Sequence, residues 1–474
     1  MKEIAMEKAL RCADVSGTSC QFVARGQTME EILEQTGRHA VEGHGLTATP
    51  RAGGGGEGAG HRGVSVETAG GAARPPAVTR RATAAPEAGS AGLARNILAL
   101  FAGLSLWTAI HFGALALLPI YLHDQGYAPR GIGFTLGVMG IAQLAVRPFG
   151  GWIVDAFGRR GPLVLSLGLL ALGCALLAVP SAWAVLANRV LTGVAFSLGT
   201  TAFYTLSIEV APPERRSEVQ GYVALGLTLG VGLGPPILVG LYQGAMAADT
   251  PAARLAGIAL GAAAVAALGG VCFGATSSTF RPLGRAHPYA VRTNFRREGL
   301  MPALLNFCAQ VPNTGFSAFL PLWALGRGVA NPGVLFVASQ AGSVASRLFA
   351  GRWADRHGRA AMLVPALAGV AVALGGLEVA TGWPAFLALS LVYGALFGVA
   401  FVILPALAGE AAPPQGRGAA LNTFGLGSDL AQLLGPWGLG LAAGAWGFGG
   451  ALVAAGLVAT VGMAAGLARG AARR

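Results

Sequence analysis

From about residue 97 onward, apolar residues fall in runs of about twenty separated by short polar stretches. A run of that length, wound as a helix, covers a hydrocarbon core of roughly 30 Å. The pattern predicts helices at 97–122, 131–154, 162–179, 182–208, 219–242, 253–274, 300–325, 332–354, 361–380, 384–408, 418–441 and 446–468. Upstream the pattern changes. Residues 1–48 have the mixed polarity of a small soluble unit, in which Thr28-Met-Glu-Glu31 is a capping box opening a helix with Ile32 and Leu33 on its inner face. Residues 49–95 are rich in Gly, Ala, Pro and Arg, including Gly53–Gly56 and Arg74-Pro75-Pro76. Such sequence buries too little apolar surface to offset its ordering entropy, so a disordered linker is expected.

The apolar part repeats. Arg147-Pro-Phe-Gly-Gly-Trp-Ile-Val-Asp155-Ala-Phe-Gly158-Arg159 returns as Arg347-Leu-Phe-Ala-Gly-Arg-Trp-Ala-Asp355-Arg-His-Gly358-Arg359. Glu209-Val-Ala-Pro-Pro returns as Glu410-Ala-Ala-Pro-Pro, and Gly234-Pro235 as Gly435-Pro436. An offset of about 200 residues held at three places implies two six-helix bundles, residues 96–275 and 300–474, joined by a basic loop at 276–299. A pseudo-two-fold axis along the membrane normal would relate them, with a site between. The expected fold is an all-α membrane protein of twelve transmembrane helices in two pseudo-symmetric bundles, preceded by a small soluble α+β domain.

Composition agrees, with 54% hydrophobic and 11% charged residues. The net charge of +12 does not point to nucleic acid, because the arginines stand at the ends of apolar runs and not on one soluble face. Loops after even-numbered helices carry Arg159, Arg160, Arg215, Arg216, Arg281, Arg285, Arg292, Arg296, Arg297, Arg356, Arg359 and Arg417, against Arg130, Arg254 and Arg327 on the other side. This asymmetry predicts both termini in the cytoplasm and a place in the inner (plasma) membrane. With no apolar segment before the first span, no signal peptide is expected. Cys174, Cys272 and Cys308, isolated in apolar runs, read as small buried side chains.

The loop Gly151-Trp-Ile-Val-Asp155-Ala-Phe-Gly158-Arg159-Arg160 resembles the signature of the major facilitator superfamily, and the likeness runs from Asn96 to the C-terminus. The resemblance implies secondary transport by alternating access. It also implies that Gly151, Asp155, Gly158, Arg159 and Arg160, with Gly351, Asp355, Gly358 and Arg359 in the copy, gate the cytoplasmic side and do not bind cargo. Physically, Gly151 would let two backbones approach, Asp155 would face a helix N-terminus or a cation, and Arg159 would pair across the loop. Helix 5 carries Gly226, Gly230, Gly234 and Pro235, a smooth face for close packing, with Gly435 and Pro436 as the repeated counterpart. This stretch is similar to the motif of the antiporter branches, although its double proline departs from that pattern.

Charged groups within the spans are few. Arg189, in Asn188-Arg-Val-Leu-Thr-Gly193, resembles the superfamily's intramembrane arginine, and it either has a task or snorkels to the outer interface. Asp429 lies near the middle of helix 11 and is a candidate proton or cation site, or else a structural hydrogen-bonding group. His111, Gln143, Asn306, Gln310 and Asn313 are polar groups for a central cavity or for helix packing.

Residues Leu10 to Thr47 are similar to a family of small uncharacterised prokaryotic proteins predicted to bind metal. Cys12 and Cys20, from a pair of strands, would join His39 and His44 at the end of the capping-box helix. Two thiolates and two imidazoles suit tetrahedral zinc, although the Cys-x7-Cys gap is longer than usual.

No nucleotide-binding loop and no paired nucleophile and base are visible, so an enzyme is not expected, nor a cofactor for transport. The reading is a proton-coupled exporter of small organic compounds acting as a monomer in the lipid bilayer. A proton symporter for nutrient uptake and a metal-responsive membrane sensor are the alternatives.

Overall fold

A computed structural model describes residues 8–11, 23–26, 35, 46–49, 65–68, 90–211, 215–245, 250–274, 276, 295–412 and 417–471. The chain divides into two units, Met1–Ala84 and Ala85–Arg474.

In the first unit, β1 (Lys8–Arg11) pairs antiparallel with β2 (Val23–Gly26), Lys8 facing Gly26. A second antiparallel pair joins β3 (Leu46–Thr49) to β4 (Ser65–Thr68). β4 lies inside the stretch read as a structureless linker. Composition averaged over that stretch hides a four-residue alternation, Ser65-Val-Glu-Thr68, with β-branched Val66 and Thr68 suited to a ladder. Of the capping-box helix only Gln35 is described, as helical.

The described part of the second unit is mainly helical, because nearly every position between loops is apolar and a backbone in lipid must satisfy its own hydrogen bonds. Its elements are α1 (Ser90–Asp124), α2 (Pro129–Phe157), α3 (Arg160–Leu176), α4 (Ala182–Val210), α5 (Arg216–Gly244) and α6 (Pro251–Gly274). After a short 3-10 turn at Arg297–Gly299 come α7 (Leu300–Gly326), α8 (Gly333–His357), α9 (Arg359–Val379), α10 (Trp383–Glu410) and α11 (Arg417–Ala471). α1 begins at Ser90, inside the expected linker. α11 is interrupted at Gly447, whose φ of 74° and ψ of 175° are not helical, so it comprises two segments. Among the described residues, nine helices are long and apolar enough to cross a membrane, and the 47-residue apolar part of α11 is one of them. α3, at 17 residues, is shorter.

One structural asymmetry governs the rest. At the end where α2, α4, α8 and α10 begin, here called the far end, a single apolar core runs through both halves. It joins Leu118, Tyr121, Leu136 and Tyr242 to Phe319, Trp323, Leu335 and Leu452. At the opposite end, which carries the repeated signature loops, the core is split. Leu104, Leu163, Phe203 and Phe273 cluster in the first half, and Leu305, Leu363, Leu367 and Ile403 cluster in the second. Large apolar side chains such as Leu98, Val372 and Trp446 point outward, as expected of surfaces that face lipid.

Candidate functional site

Glycines close the far end. α2 lies against α11 so tightly that a Cβ on Gly133 would collide with the Pro436 carbonyl and Gly440, and one on Gly140 would strike the Leu433 backbone. Trp437 fills the remaining seam, its Nε1–H donating to the Phe134 carbonyl at 3.0 Å and its ring stacked on Phe134 at 5.3 Å. On the other seam Gly333 of α8 meets Pro235 and Pro236 of α5, and Asn331 Nδ2 donates to the Pro236 carbonyl at 3.0 Å. Pro235 and Pro436 therefore take part in contacts between the halves. Gly230 and Gly234 face α1 at Thr108 and Ala109, and Gly435 faces Thr314 of α7, within their own halves.

The signature loops are built at the other end. Gly158 and Gly358 end α2 and α8 with φ of 85° and 89°, conformations that a side chain disfavours. The chain then turns directly into the next helix. A Cβ on Gly151 or Gly351 would meet nothing within 4 Å, so the expected close backbone approach at these two glycines does not occur in this state. Arg159 pairs with Asp155 one turn back at 3.3 Å, and with Glu209 at the end of α4 at 3.3 Å. Its copy, Arg359, pairs with Glu410 at the end of α10. The repeated Glu-x-x-Pro-Pro segments thus supply the partners of the repeated arginines, each within its own half. Arg160 donates to the Gly274 carbonyl of α6. The Asp355 side chain lies outside the described residues.

Asp429 is not isolated. Arg147 of α2 reaches across the seam, donating from Nη2 to Oδ1 at 2.6 Å and from Nε to Oδ2. The Asp429 side chain is only 2% exposed, against 21% for Arg147. Two parallel charge-assisted hydrogen bonds fix both angle and distance, so this pair joins the halves more specifically than apolar contact does. The repeat makes the arrangement asymmetric. Arg347 is the copy of Arg147, but counting back from the matched Gly-Pro pairs puts Thr228 where Asp429 would be. Arg347 instead lies over the Phe401 ring at 4.4 Å, and the Thr228 hydroxyl donates to its own helix at Ala224.

Arg189 does not snorkel. It is 2% exposed, and both Nε and Nη2 donate to Oδ1 of Asn188, at 2.9 and 2.6 Å. His111 is buried in a stack with Trp107 and Phe196, and Gln143 is buried on α2. In the second half Asn306 Nδ2 donates to Ser428 Oγ at 2.7 Å and to the Phe424 carbonyl at 3.1 Å, fastening α7 to α11. Asn313 donates to Gln310 at 3.3 Å and accepts from Tyr393 of α10 at 3.4 Å. Asn306 and the Gln310–Asn313 pair thus serve separate contacts, and the structure does not join them to Asp429 in one site.

Sequence reasoning missed Arg147, Glu209 and Glu410 as partners, although all three stood in the repeated segments. It also missed Gly133 and Gly140, which no local pattern singles out. Cys12, Cys20, His39 and His44 lie outside the described residues. Among those described, no group of three or more metal-ligating side chains is found.

A repeated helical bundle fused at one end and divided at the other, with paired charges at the divided end, is the architecture of a membrane transporter. The chain belongs to the Major Facilitator Superfamily, which matches residues 96–330 and 302–472, and it is a multi-pass membrane protein. Residues 7–52 match a second family, described as proteins of unknown function (DUF1059). Among curated relatives, the quinolone resistance protein NorA of Staphylococcus aureus (strain MRSA252) is 27% identical over 143 residues, 30% of this chain and 35% of that one. Multidrug resistance protein 2 of Bacillus subtilis (strain 168) is 24% identical over 144 residues, 30% and 34% of the two chains. The match thus spans about a third of these relatives' length. A bacterial homologue of the human lysosomal transporter Spinster has the same fold, with a TM-score of 0.65 and 12% identity over 80% of this chain and 97% of that one. So does the xylose transporter XylE from E. coli, with a TM-score of 0.63 and 14% identity over 79% and 97%.

Proposed function

We propose that the chain is a proton-coupled exporter of small organic compounds that works by alternating access. The observation that carries the reading is the divided core: one apolar cluster through both halves at the far end, and two separate clusters at the signature end. A rocking bundle needs one end closed while the other can part. With the arginine-rich loops in the cytoplasm, this state faces inward, both termini are cytoplasmic and the membrane is the plasma membrane. Twelve crossings follow if α3 and α7 span and α11 spans twice, its break at Gly447 making the turn.

Asp429 is the residue we propose for proton coupling. Every other carboxylate of α1–α11 lies within a few residues of a helix end, whereas Asp429 is twelve residues into α11. A carboxylate at that depth, bound to a cation of the other half, links its charge state to the separation of the halves. Export is supported by the names of the relatives, a quinolone and a multidrug resistance protein. The test is flux into inverted vesicles under an imposed pH gradient, screened against drugs, sugars and amino acids. Accumulation that needs the gradient and is lost in Asp429→Asn fits the proposal. Uptake in the opposite sense makes the chain a symporter.

For the N-terminal segment we propose one zinc held by Cys12, Cys20, His39 and His44. The support is the donor set, two thiolates and two imidazoles on a chain segment expected in the reducing cytoplasm. Its role would be regulation and not transport itself.

A further inference from the structure

Arg189 presents a charge that no carboxylate among the described residues of its own half balances. Within α1–α6 the acids are Asp124, Asp155, Glu209 and Glu218, and all four stand at helix ends. Arg189 is seven residues into α4, and Glu209 is twenty residues further along the same helix, about 30 Å away at 1.5 Å per residue. Among the described residues no carboxylate pairs with Arg189. Its acceptor is the amide oxygen of its neighbour Asn188, which is engaged by Nε and Nη2 and leaves Nη1 without a partner among those residues. A buried guanidinium is costly unless an opposite charge meets it.

Several buried side chains of α1, α2 and α4 carry unpaired polar nitrogens as well. Asn188 Nδ2, Gln143 Nε2 and Trp107 Nε1 are buried N–H donors with no acceptor among the described residues, and Nε2 of His111 is likewise unpartnered. Trp107 and His111 stand on α1, Gln143 on α2 and Asn188 on α4, beside the seam with α3: His111 stacks on Phe196 of α4 at 4.7 Å, and the Asn188 amide nitrogen faces Gly173 of α3. A buried donor left unpaired costs its full desolvation. Unpaired N–H donors beside a cation that meets no carboxylate among the described residues make a place for an acceptor that carries negative charge.

We propose that this seam binds an organic carboxylate, with Arg189 as its charge partner and Asn188 Oδ1 as the group it displaces, and hence that the cargo class includes organic anions. The inference rests on the transport reading for its biological role. Trp107, His111, Gln143, Asn188 and Arg189 are each at most 4% exposed, so an anion enters only as the helices of the first half part. The site lies two turns from the sealed far end, where cargo entering from the signature end would stop. Two parallel N–H···O bonds from a guanidinium favour a planar carboxylate over a spherical halide.

The test is equilibrium binding of labelled benzoate and 2-naphthoate to the full-length protein in nanodiscs, with benzamide and chloride as competitors. The expected result is carboxylate binding that benzamide and chloride displace poorly. Affinity should weaken about tenfold or more in Arg189→Gln and fall by a smaller factor in Trp107→Phe. Asn188→Asp is the decisive variant, because it supplies an internal carboxylate to Arg189 and relieves the buried charge. It should fold at least as stably as the parent and bind neither carboxylate. Absence of carboxylate binding, equal binding of benzamide, or an unaltered affinity in Asn188→Asp would overturn the proposal. Binding needs no gradient and no flux, so a protein that transports only neutral compounds defeats this inference alone. One that binds carboxylates yet transports nothing defeats the transport reading alone.

Discussion

Arg147 and Asp429, 282 residues apart in the chain, meet through two hydrogen bonds across the seam between the halves. Each belongs to a different bundle, so the pair persists only in conformations that keep α2 and α11 together at this depth. Removing one member of such a buried pair leaves an unpaired charge, at a cost of about 3–5 kcal/mol. Asp429→Asn should therefore lose gradient-driven accumulation while keeping downhill exchange. Arg147→Gln should be the more destabilised of the two, because it strands the buried carboxylate. The exchanged double variant Arg147→Asp, Asp429→Arg should recover thermal stability more fully than flux. Unchanged gradient-driven accumulation in Asp429→Asn would reduce the pair to a packing role.

Thr228 offers the reverse experiment. It occupies the place of Asp429 in the first half, opposite the half that carries Arg347. Thr228→Asp should add a second ion pair between the halves, raise the melting temperature in detergent and slow transport. A lower melting temperature together with normal flux would show that Arg347 does not reach across.

The Asp155–Arg159 pair is different, because the Asp155 side chain is 43% exposed. Exposed pairs contribute at most about 1 kcal/mol, so Asp155→Asn should leave expression and melting temperature nearly unchanged. Loss of most transport in that variant, measured in proteoliposomes, would place its effect on gating. Normal flux would remove it from the gate.

Gly140 tests the seal. A side chain there must displace the Leu433 backbone, and overpacking of this kind costs about 1–3 kcal/mol. Gly140→Val should weaken closure at the far end and increase labelling of a cysteine placed at Phe134 by a membrane-impermeant maleimide from outside. Labelling at the parent level would mean that the contact is not required for closure.

The zinc proposal is checked on the whole protein. Purified full-length chain should carry about one zinc, and Cys12→Ser should abolish it. Removal of residues 1–84 should leave the helical unit and its flux intact, since the chain divides there. Parent protein free of zinc after purification without chelator would refute the site.

The helical unit was legible in the sequence because its determinants are local: length and apolarity of each run, glycines at the turns, and a repeat that sets the two halves in correspondence. Arg159, Arg359, Glu209 and Glu410 were legible as repeated residues for the same reason. What they pair with was not, because a pairing between helix ends depends on how α2 and α4, or α8 and α10, are brought side by side. Asp429 stood out by chemistry, as a carboxylate in an apolar run, yet its partner is 282 positions away and only the packing of α2 on α11 joins them. Arg189 could not be assigned to interior or interface from its depth alone. The rotation of α4 about its axis decides that, and rotation is set by Gly193 lying on α2 at Met139 and Ala142. Which end is sealed is likewise a property of tertiary structure. The sequence of a rocking bundle encodes both closed ends, and a single packing of the apolar core selects one.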